Sequence, residues 1–374
     1  MKVYPVKPYF PPEDIERIKN DVGRILSSGM ITTHSFTKTF ENKFAELCGT
    51  TEAVAVNSGS AALELVLQCL DVKGTEVLVP TNTFTATVSP ILRTGAKPIL
   101  TDIDPKTLCI DIEAIQEKLT SKTRAIMVVH VGGLICPEMF QIKELCEDHH
   151  LYLIEDSAHA HGSKIDGKAA GSFGDAGCFS MYATKIITTA EGGVITTNNT
   201  EITQKIRTLR DQGKNPSNAD EVIDLGYSYR YPEINAALGI AQLDRLDEII
   251  RKRTEIAKFY NDKLDKMDGI TAQRIPKNIV EGYYKHVAFL DEGIDRDLLK
   301  KKLWEKGVIC GGEVYAIPIH MQPVYIDLLK TKKGDFPNAE YACSRMLCLP
   351  ITAQMTQEQR EYVIMELRDI LESM

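Results

Sequence analysis

Lys185 follows the apolar run Cys178-Phe179-Ser180-Met181-Tyr182 after two small residues and precedes Glu191-Gly192-Gly193. A lysine leaving an apolar strand for a small-residue loop is partly desolvated, which lowers the pKa of its ammonium group and frees the amine to attack a carbonyl. Taken alone, a loop lysine is usually a solvated surface cation. A second segment shifts that balance. Leu151–Ile154 reads as an apolar strand that delivers Glu155 and Asp156 at its C-terminal end, followed by Ser157-Ala158-His159. An acid at the C-terminal mouth of a parallel strand lies where open α/β sheets bind ligands, although a single Asp there more often caps a helix.

Two more segments supply complementary chemistry. Val56-Asn57-Ser58-Gly59-Ser60-Ala61-Ala62-Leu63 reads as a strand ending in a small turn that opens a helix, so backbone N–H groups, hydroxyls and the helix dipole can converge on a phosphate. Ser180, five residues before Lys185, offers another hydroxyl. Pro80-Thr81-Asn82-Thr83-Phe84 ends a strand with an aromatic ring that could lie flat on a pyridine or simply enter the core. A phosphate cradle, a stacking ring, an acid for a ring nitrogen and a nucleophilic amine are together the requirements of pyridoxal phosphate. No GxxxxGK[ST], HExxH or GxSxG pattern occurs, so the sequence supports neither P-loop hydrolysis, zincin proteolysis nor α/β-hydrolase chemistry.

The elements that position these residues are legible from periodicity. Ile15, Ile18, Val22, Ile25 and Leu26 predict an amphipathic helix over Pro12–Ser28, and a second follows at Phe36–Leu47. Short apolar runs then alternate with helical patterns through Leu151–Glu155, which predicts a mainly parallel sheet covered by helices on both faces. Gly177–Tyr182 and Gly193–Thr197 read as strands and Gln212–Asp224 as an exposed, mobile loop. Pro232–Ile250, continuing toward Leu264, reads as one long helix linking two domains. The expected architecture is α/β: an N-terminal arm and large domain over residues 1–245, and a smaller C-terminal α/β domain over 246–374.

The chain has 374 residues with 43% hydrophobic and 26% charged positions, enough apolar material for a folded core. Its 44 Lys+Arg against 52 Asp+Glu leave a formal charge of -8, which gives no long-range attraction to nucleic acid or anionic lipid. Nine cysteines lack a CxxC pair or zinc-ligand spacing and read as reduced, mostly buried thiols, with no metal site expected. Neither a signal peptide nor a membrane-spanning run is evident, so a cytoplasmic protein is expected.

Taken jointly, these segments resemble the DegT/StrS family of pyridoxal-phosphate-dependent sugar aminotransferases, which have the aspartate aminotransferase (type I) fold. The resemblance is carried over nearly the whole chain by Ser58 to Leu63, Pro80 to Phe84, Glu155 to Ala160, Phe179-Ser180 through Lys185 to Gly193, and Gly226-Tyr227-Ser228-Tyr229-Arg230. Tyr315 to His320 and Leu349-Pro350-Ile351 add to it. By that similarity Lys185 forms the Schiff base with the cofactor and shuttles a proton, and Asp156 holds the pyridinium. Ser60 and Ser180 bind the cofactor phosphate with the amides of Gly59 and Ser60, and Phe84 stacks on the ring. The family is dimeric, with the segment matching Gly226–Arg230, including Ser228, crossing into the partner's site.

Three positions depart from the family's usual residues: His159 stands for Gln or Glu, Ser60 for Thr and Ser228 for Asn. Serine keeps the phosphate hydroxyl at 60, but Ser228 is shorter than an asparagine amide. His159 is read either as a hydrogen-bond partner of the cofactor hydroxyl or as a structural histidine. Lysine rather than histidine at 185 favours transamination over the sugar dehydration found in relatives of this fold.

The resemblance implies transfer of an amino group from L-glutamate to a keto-sugar, a nucleotide-linked 3- or 4-keto-6-deoxyhexose, for amino-sugar or surface-polysaccharide synthesis. The alternatives are the same chemistry on a small phosphorylated keto compound or keto-cyclitol, and a non-catalytic regulatory protein that binds the cofactor. Lys214 in the polar loop and His320 within Cys310–Tyr325 are candidate acceptor contacts, with a solvated loop and domain packing as their structural alternatives.

Overall fold

The computed structural model of the chain describes residues 1–312 and 314–374. Among these residues seven strands form the central sheet: β1 (Glu52–Val56), β2 (Glu76–Pro80), β3 (Lys97–Thr101), β4 (Thr123–Val129), β5 (Tyr152–Asp156), β6 (Ala176–Ser180) and β7 (Gly193–Thr197). They lie in the order β1-β7-β6-β5-β4-β2-β3, and neighbours are parallel except where β7 pairs with β1 and β6. Their near-continuous apolar sequences follow from burial on both faces: Val54, Leu78, Ile126, Ile154 and Ile195 are fully buried. Helices Gly59–Cys69, Thr85–Arg93, Met139–Asp148 and Thr200–Arg210 each follow a strand, as the sequence pattern predicts.

A smaller antiparallel sheet joins Ile270–Ala272, His286–Leu290 and Met346–Leu349. Its core, with Leu264, Leu299, Leu303, Val363 and Leu367, also takes in Val3 of the N-terminal arm. The closing helix Gln357–Glu372 starts at Thr356, whose side chain and that of Gln359 cap each other's backbone N–H groups. All nine cysteines are free thiols, eight of them buried. No helix among the described residues is long and apolar enough to cross a membrane.

Two expectations are corrected. Pro232–Leu264 is not one helix: Glu233–Asp244 and Leu246–Leu264 meet at Arg245, whose guanidinium binds Glu13, Asp14 and Glu248. Those ion pairs use a good helix former as a corner, a tertiary effect that local propensity does not reveal. The stretch Gln212–Asp224 is not irregular but contains a hairpin, Lys214–Asn215 against Asn218–Val222. Every residue of Asn218–Val222 is exposed, so the strand has no buried face and no apolar alternation to betray it.

Strand alternation sends Glu155 and Asp156 to opposite faces of β5. The fully buried Glu155 accepts hydrogen bonds from the N–H groups of Gly171 (2.8 Å), Phe173 (2.6 Å) and Gly174 (2.9 Å), and lies 3.0 Å from His130 Nε2. Cys136 N–H donates to His130 Nδ1, so the ring proton sits on Nε2 and is donated to Glu155. Glu155→Ala orphans all four donors and is expected to cost about 3–5 kcal/mol in urea unfolding. A loss below about 1 kcal/mol would show that the loop is held by other contacts.

Candidate active site

The C-terminal ends of β1, β2, β5 and β6 and the start of β7 share one edge of the sheet, and a cavity of about 560 Å³ opens there. Its walls include seven of the residues singled out from the sequence: Gly59, Ser60, Phe84, Asp156, His159, Ser180 and Lys185. Ser228 is not among the residues lining it; its backbone bridges Asp211 and its hydroxyl accepts from Arg230 Nη2 at 2.9 Å.

Lys185 is half-buried in the turn after β6, its N–H bonded to Tyr182 O at 3.0 Å. Its Nζ lies 4.7 Å from the centroid of the Tyr284 ring, and the Tyr284 hydroxyl is 3.1 Å from Thr184 Oγ1. Burial lowers the pKa of the Lys185 ammonium, with Tyr284 and Asp156 opposing and Lys285 assisting. The amine is therefore free at lower pH than that of a solvated lysine.

Asp156, 5% exposed, ends β5. Its Oδ2 accepts from Thr87 Oγ1 at 2.7 Å and its Oδ1 from the Ala158 N–H at 3.1 Å. Burial raises its pKa above the usual carboxylate range, and those two hydrogen bonds and the positive charge of Lys185 offset part of that rise. Both donors are neutral, which leaves a buried acid suited to a protonated ring nitrogen.

The helix Gly59–Cys69 also begins at the cavity wall. Ser58 caps it by accepting from the Ala61 N–H, while the N–H groups of Gly59 and Ser60 belong to the first turn, which has no intrahelical acceptors. The approach of this turn to β6 and β7 requires glycine. A Cβ on Gly59 would lie 2.9 Å from Ser180 Cβ, and one on Gly193 would lie 2.3 Å from Ser58 O. Exposed N–H groups, the positive helix end and the Ser60 and Ser180 hydroxyls together suit a phosphate. Phe84, an apolar ring 59% exposed at the cavity wall, suits an aromatic partner.

His159 is buried and its ring is nearly parallel to those of Tyr284 (centroids 4.3 Å apart) and Tyr315 (6.0 Å). Burial, with Lys185 and Lys285 nearby, pushes its pKa well below the usual histidine value. The Gly132 N–H donates to Nδ1 at 3.4 Å, so the neutral ring carries its proton on Nε2 and can donate there.

His320 is not a cavity residue. It is fully buried, with Thr81 Oγ1 2.7 Å from Nδ1 and Glu340 Oε1 3.0 Å from Nε2, so it is held between the end of β2 and the helix Pro337–Arg345. Within the same region Gly312, Val314 and Tyr315 do line the cavity, and residue 313 lies outside the described residues. Lys214 lies in the hairpin and is not among the lining residues. Sequence reading missed Thr87, Tyr284 and Lys285. Thr87 lies three residues after Phe84, one helical turn on, and that spacing was its available signal. Tyr284 and Lys285 immediately precede the strand His286–Leu290, so only tertiary packing brings them to the cavity.

An open helix N-terminus, an exposed ring, a buried acid and a desolvated lysine at the carboxyl edge of a mainly parallel sheet are what a pyridoxal-phosphate-dependent transferase of type I fold requires. Comparison with known proteins agrees. The model of the DegT/DnrJ/EryC1/StrS aminotransferase family matches residues 12–368, and the chain belongs to that family. It is 36% identical over 336 residues to the GDP-perosamine synthase of Caulobacter vibrioides, covering 89% of each chain. It is 35% identical over 365 residues to the spore coat polysaccharide biosynthesis protein SpsC of Bacillus subtilis, covering 94% of this chain and 93% of SpsC. The crystal structure of the aminotransferase TlmJ from Streptoalloteichus hindustanus superposes with a TM-score of 0.91 at 31% identity, covering 99% of both chains. The protein is thus an aminotransferase, and its cofactor is pyridoxal phosphate.

Proposed function

We propose that this protein transfers an amino group from L-glutamate to a nucleotide-linked 3- or 4-keto-6-deoxyhexose, as a sugar aminotransferase in amino-sugar and surface-polysaccharide synthesis. The observation that carries the chemistry is one cavity walled by a desolvated lysine, a buried carboxylate and an open helix N-terminus. The similarity to a GDP-perosamine synthase and a spore coat polysaccharide protein supports the sugar acceptor.

When bound, pyridoxal phosphate supplies an aldehyde carbon and an electron-withdrawing ring that stabilises negative charge at the substrate carbon. Lys185 Nζ accepts the proton from the α-carbon of glutamate and, in the second half of the cycle, delivers a proton to the former keto carbon of the acceptor. Glutamate leaves as 2-oxoglutarate, water supplying its keto oxygen, and its amino group stays behind for the acceptor, whose keto oxygen leaves as water. Asp156 keeps a proton on the ring nitrogen, and the first turn at Gly59 and Ser60, with the Ser180 hydroxyl, anchors the phosphate. With the cofactor bound, Phe84 would pack on the ring and His159 Nε2 would donate to the ring hydroxyl.

The same reading includes a homodimer in the cytoplasm, with Ser228 serving the partner's site. Ser228 stands outside its own chain's cavity, and Leu26 (59%), Ile31 (54%), Val222 (67%) and Leu225 (89%) are apolar side chains left exposed on the single chain. Nine free thiols suit a reducing compartment. It also includes two units divided at 245/246, supported by the helix corner at Arg245 and by a second core built, apart from Val3, from residues beyond it.

Glutamate should convert the bound cofactor fully to its amine form, seen by absorbance, and release 2-oxoglutarate. A panel of keto acceptors then separates the substrates: turnover is expected only with the nucleotide-linked keto-hexoses. Turnover confined to phosphorylated or cyclitol ketones would overturn the acceptor assignment, and absence of the glutamate half-reaction at full cofactor occupancy would overturn the enzyme assignment.

A further inference from the structure

Phe84 and Thr87 sit on the same first turn of the helix Thr85–Arg93, for which Phe84 is the N-cap. Phe84 is exposed at the cavity, whereas Thr87 is fully buried and donates its hydroxyl proton to Asp156 Oδ2 at 2.7 Å. A buried helical threonine ordinarily returns its hydroxyl to the carbonyl four residues back. Thr94 does so at the end of this helix, reaching Pro90 O at 2.9 Å. Thr87 instead spends its only hydroxyl proton on the acid.

A second hydroxyl lines up behind it. Thr83 Oγ1, 2% exposed, donates to Thr87 Oγ1 at 2.7 Å, occupying one of its two lone pairs, while the carboxylate of Asp156 takes the Thr87 proton. Tyr315, from the small-domain side of the cavity, interacts with Thr83 and the Phe84 backbone. Hydroxyls aligned head to tail polarise one another, and the chain ends on the one group that carries negative charge. We propose that Thr87, ordered by Thr83, is a positioning residue for amino transfer: its hydroxyl donates to one oxygen of Asp156 and fixes it, so the acid presents a defined lone pair to the ring nitrogen.

The other ionisable groups facing Asp156 are Lys185 beyond β6, His130 beyond β4, Cys178 within β6 and Tyr315. The attraction of Lys185 acts in the same sense as Thr87, and burial acts against both. Thr87→Val keeps the side chain's volume and removes the donor, so the burial penalty on the ionised acid is left less opposed and the carboxyl holds its proton to higher pH. The proposal rests on Asp156 facing the ring nitrogen, and two measurements separate the two claims.

In the cofactor-free protein, labelled at aspartate Cγ and assigned against Asp156→Asn, the Asp156 titration midpoint is expected to rise by about one to two pH units in Thr87→Val. Thr87→Ser restores it, and Thr83→Val raises it by less. In protein loaded with ring-¹⁵N pyridoxal phosphate, the nitrogen resonance of Thr87→Val moves toward that of unprotonated pyridine, because the more basic acid draws the shared proton to itself. A midpoint unmoved in the folded Thr87→Val and Thr83→Val proteins overturns the role of Thr87. A ring resonance that ignores Asp156→Asn, with the midpoints shifting as expected, overturns the pairing of Asp156 with the ring and leaves the hydroxyl chain standing.

Discussion

Lys185→Ala is expected to lose amino transfer by at least about 10,000-fold, the scale on which a positioned proton carrier acts and before any loss of nucleophilic capture is added. At a tenfold rate change per 1.36 kcal/mol this is roughly 5.5 kcal/mol of transition-state stabilisation. The fold should survive. Lys185 is only half-buried and its amine stands over Tyr284 at the cavity, so its removal opens the site without hollowing a packed core. Glutamate-dependent release of 2-oxoglutarate, with far-ultraviolet circular dichroism as the folding control, checks the result. Turnover within tenfold of the unmodified protein would assign the proton transfer to another group, and Tyr284 with its Thr184 partner would be the next candidate.

Asp156→Asn is expected to lower turnover by roughly 100- to 1000-fold, the range in which one electrostatic partner of a developing charge acts. The amide is nearly isosteric, and its oxygen can still accept from Thr87, so the cavity keeps its shape. The loss is one of charge: a neutral amide does not keep the ring nitrogen protonated, and the electron sink weakens. Glutamate affinity should change little compared with the rate. Near-normal single-turnover conversion of the cofactor by glutamate would place the pyridinium partner elsewhere.

Much of this site is legible before any coordinates because the chemistry rides on strand ends. β7 coincides with the strand read at Gly193–Thr197, and β5 carries Asp156 as its last residue, at the end of the apolar run that starts at Leu151. Since parallel strands deliver their C-terminal ends to one edge, residues separated by more than a hundred positions, such as Gly59 and Lys185, could be placed in one cavity from order alone. Contacts made across the fold were hidden. Thr87 reads as an ordinary helical threonine until Asp156 is packed against it, and Tyr284 reaches Lys185 from the segment leading into the strand His286–Leu290. His320 belongs to a motif-like stretch, but Thr81 and Glu340 hold it in the interior. The corner at Arg245 depends on acids more than 200 residues earlier, and the hairpin at Asn218–Val222 has no buried face, so neither leaves a local pattern.

The central claim is that the amine of Lys185 holds the vitamin-derived aldehyde, and borohydride reduction tests it most directly. Reduced after loading with pyridoxal phosphate, the protein should carry one phosphopyridoxyl group per chain, found by mass spectrometry on the peptide containing Lys185. The Lys185→Ala protein treated in parallel should carry none. A stoichiometric label on a different lysine, or no label on a protein that has bound the cofactor, would contradict the account.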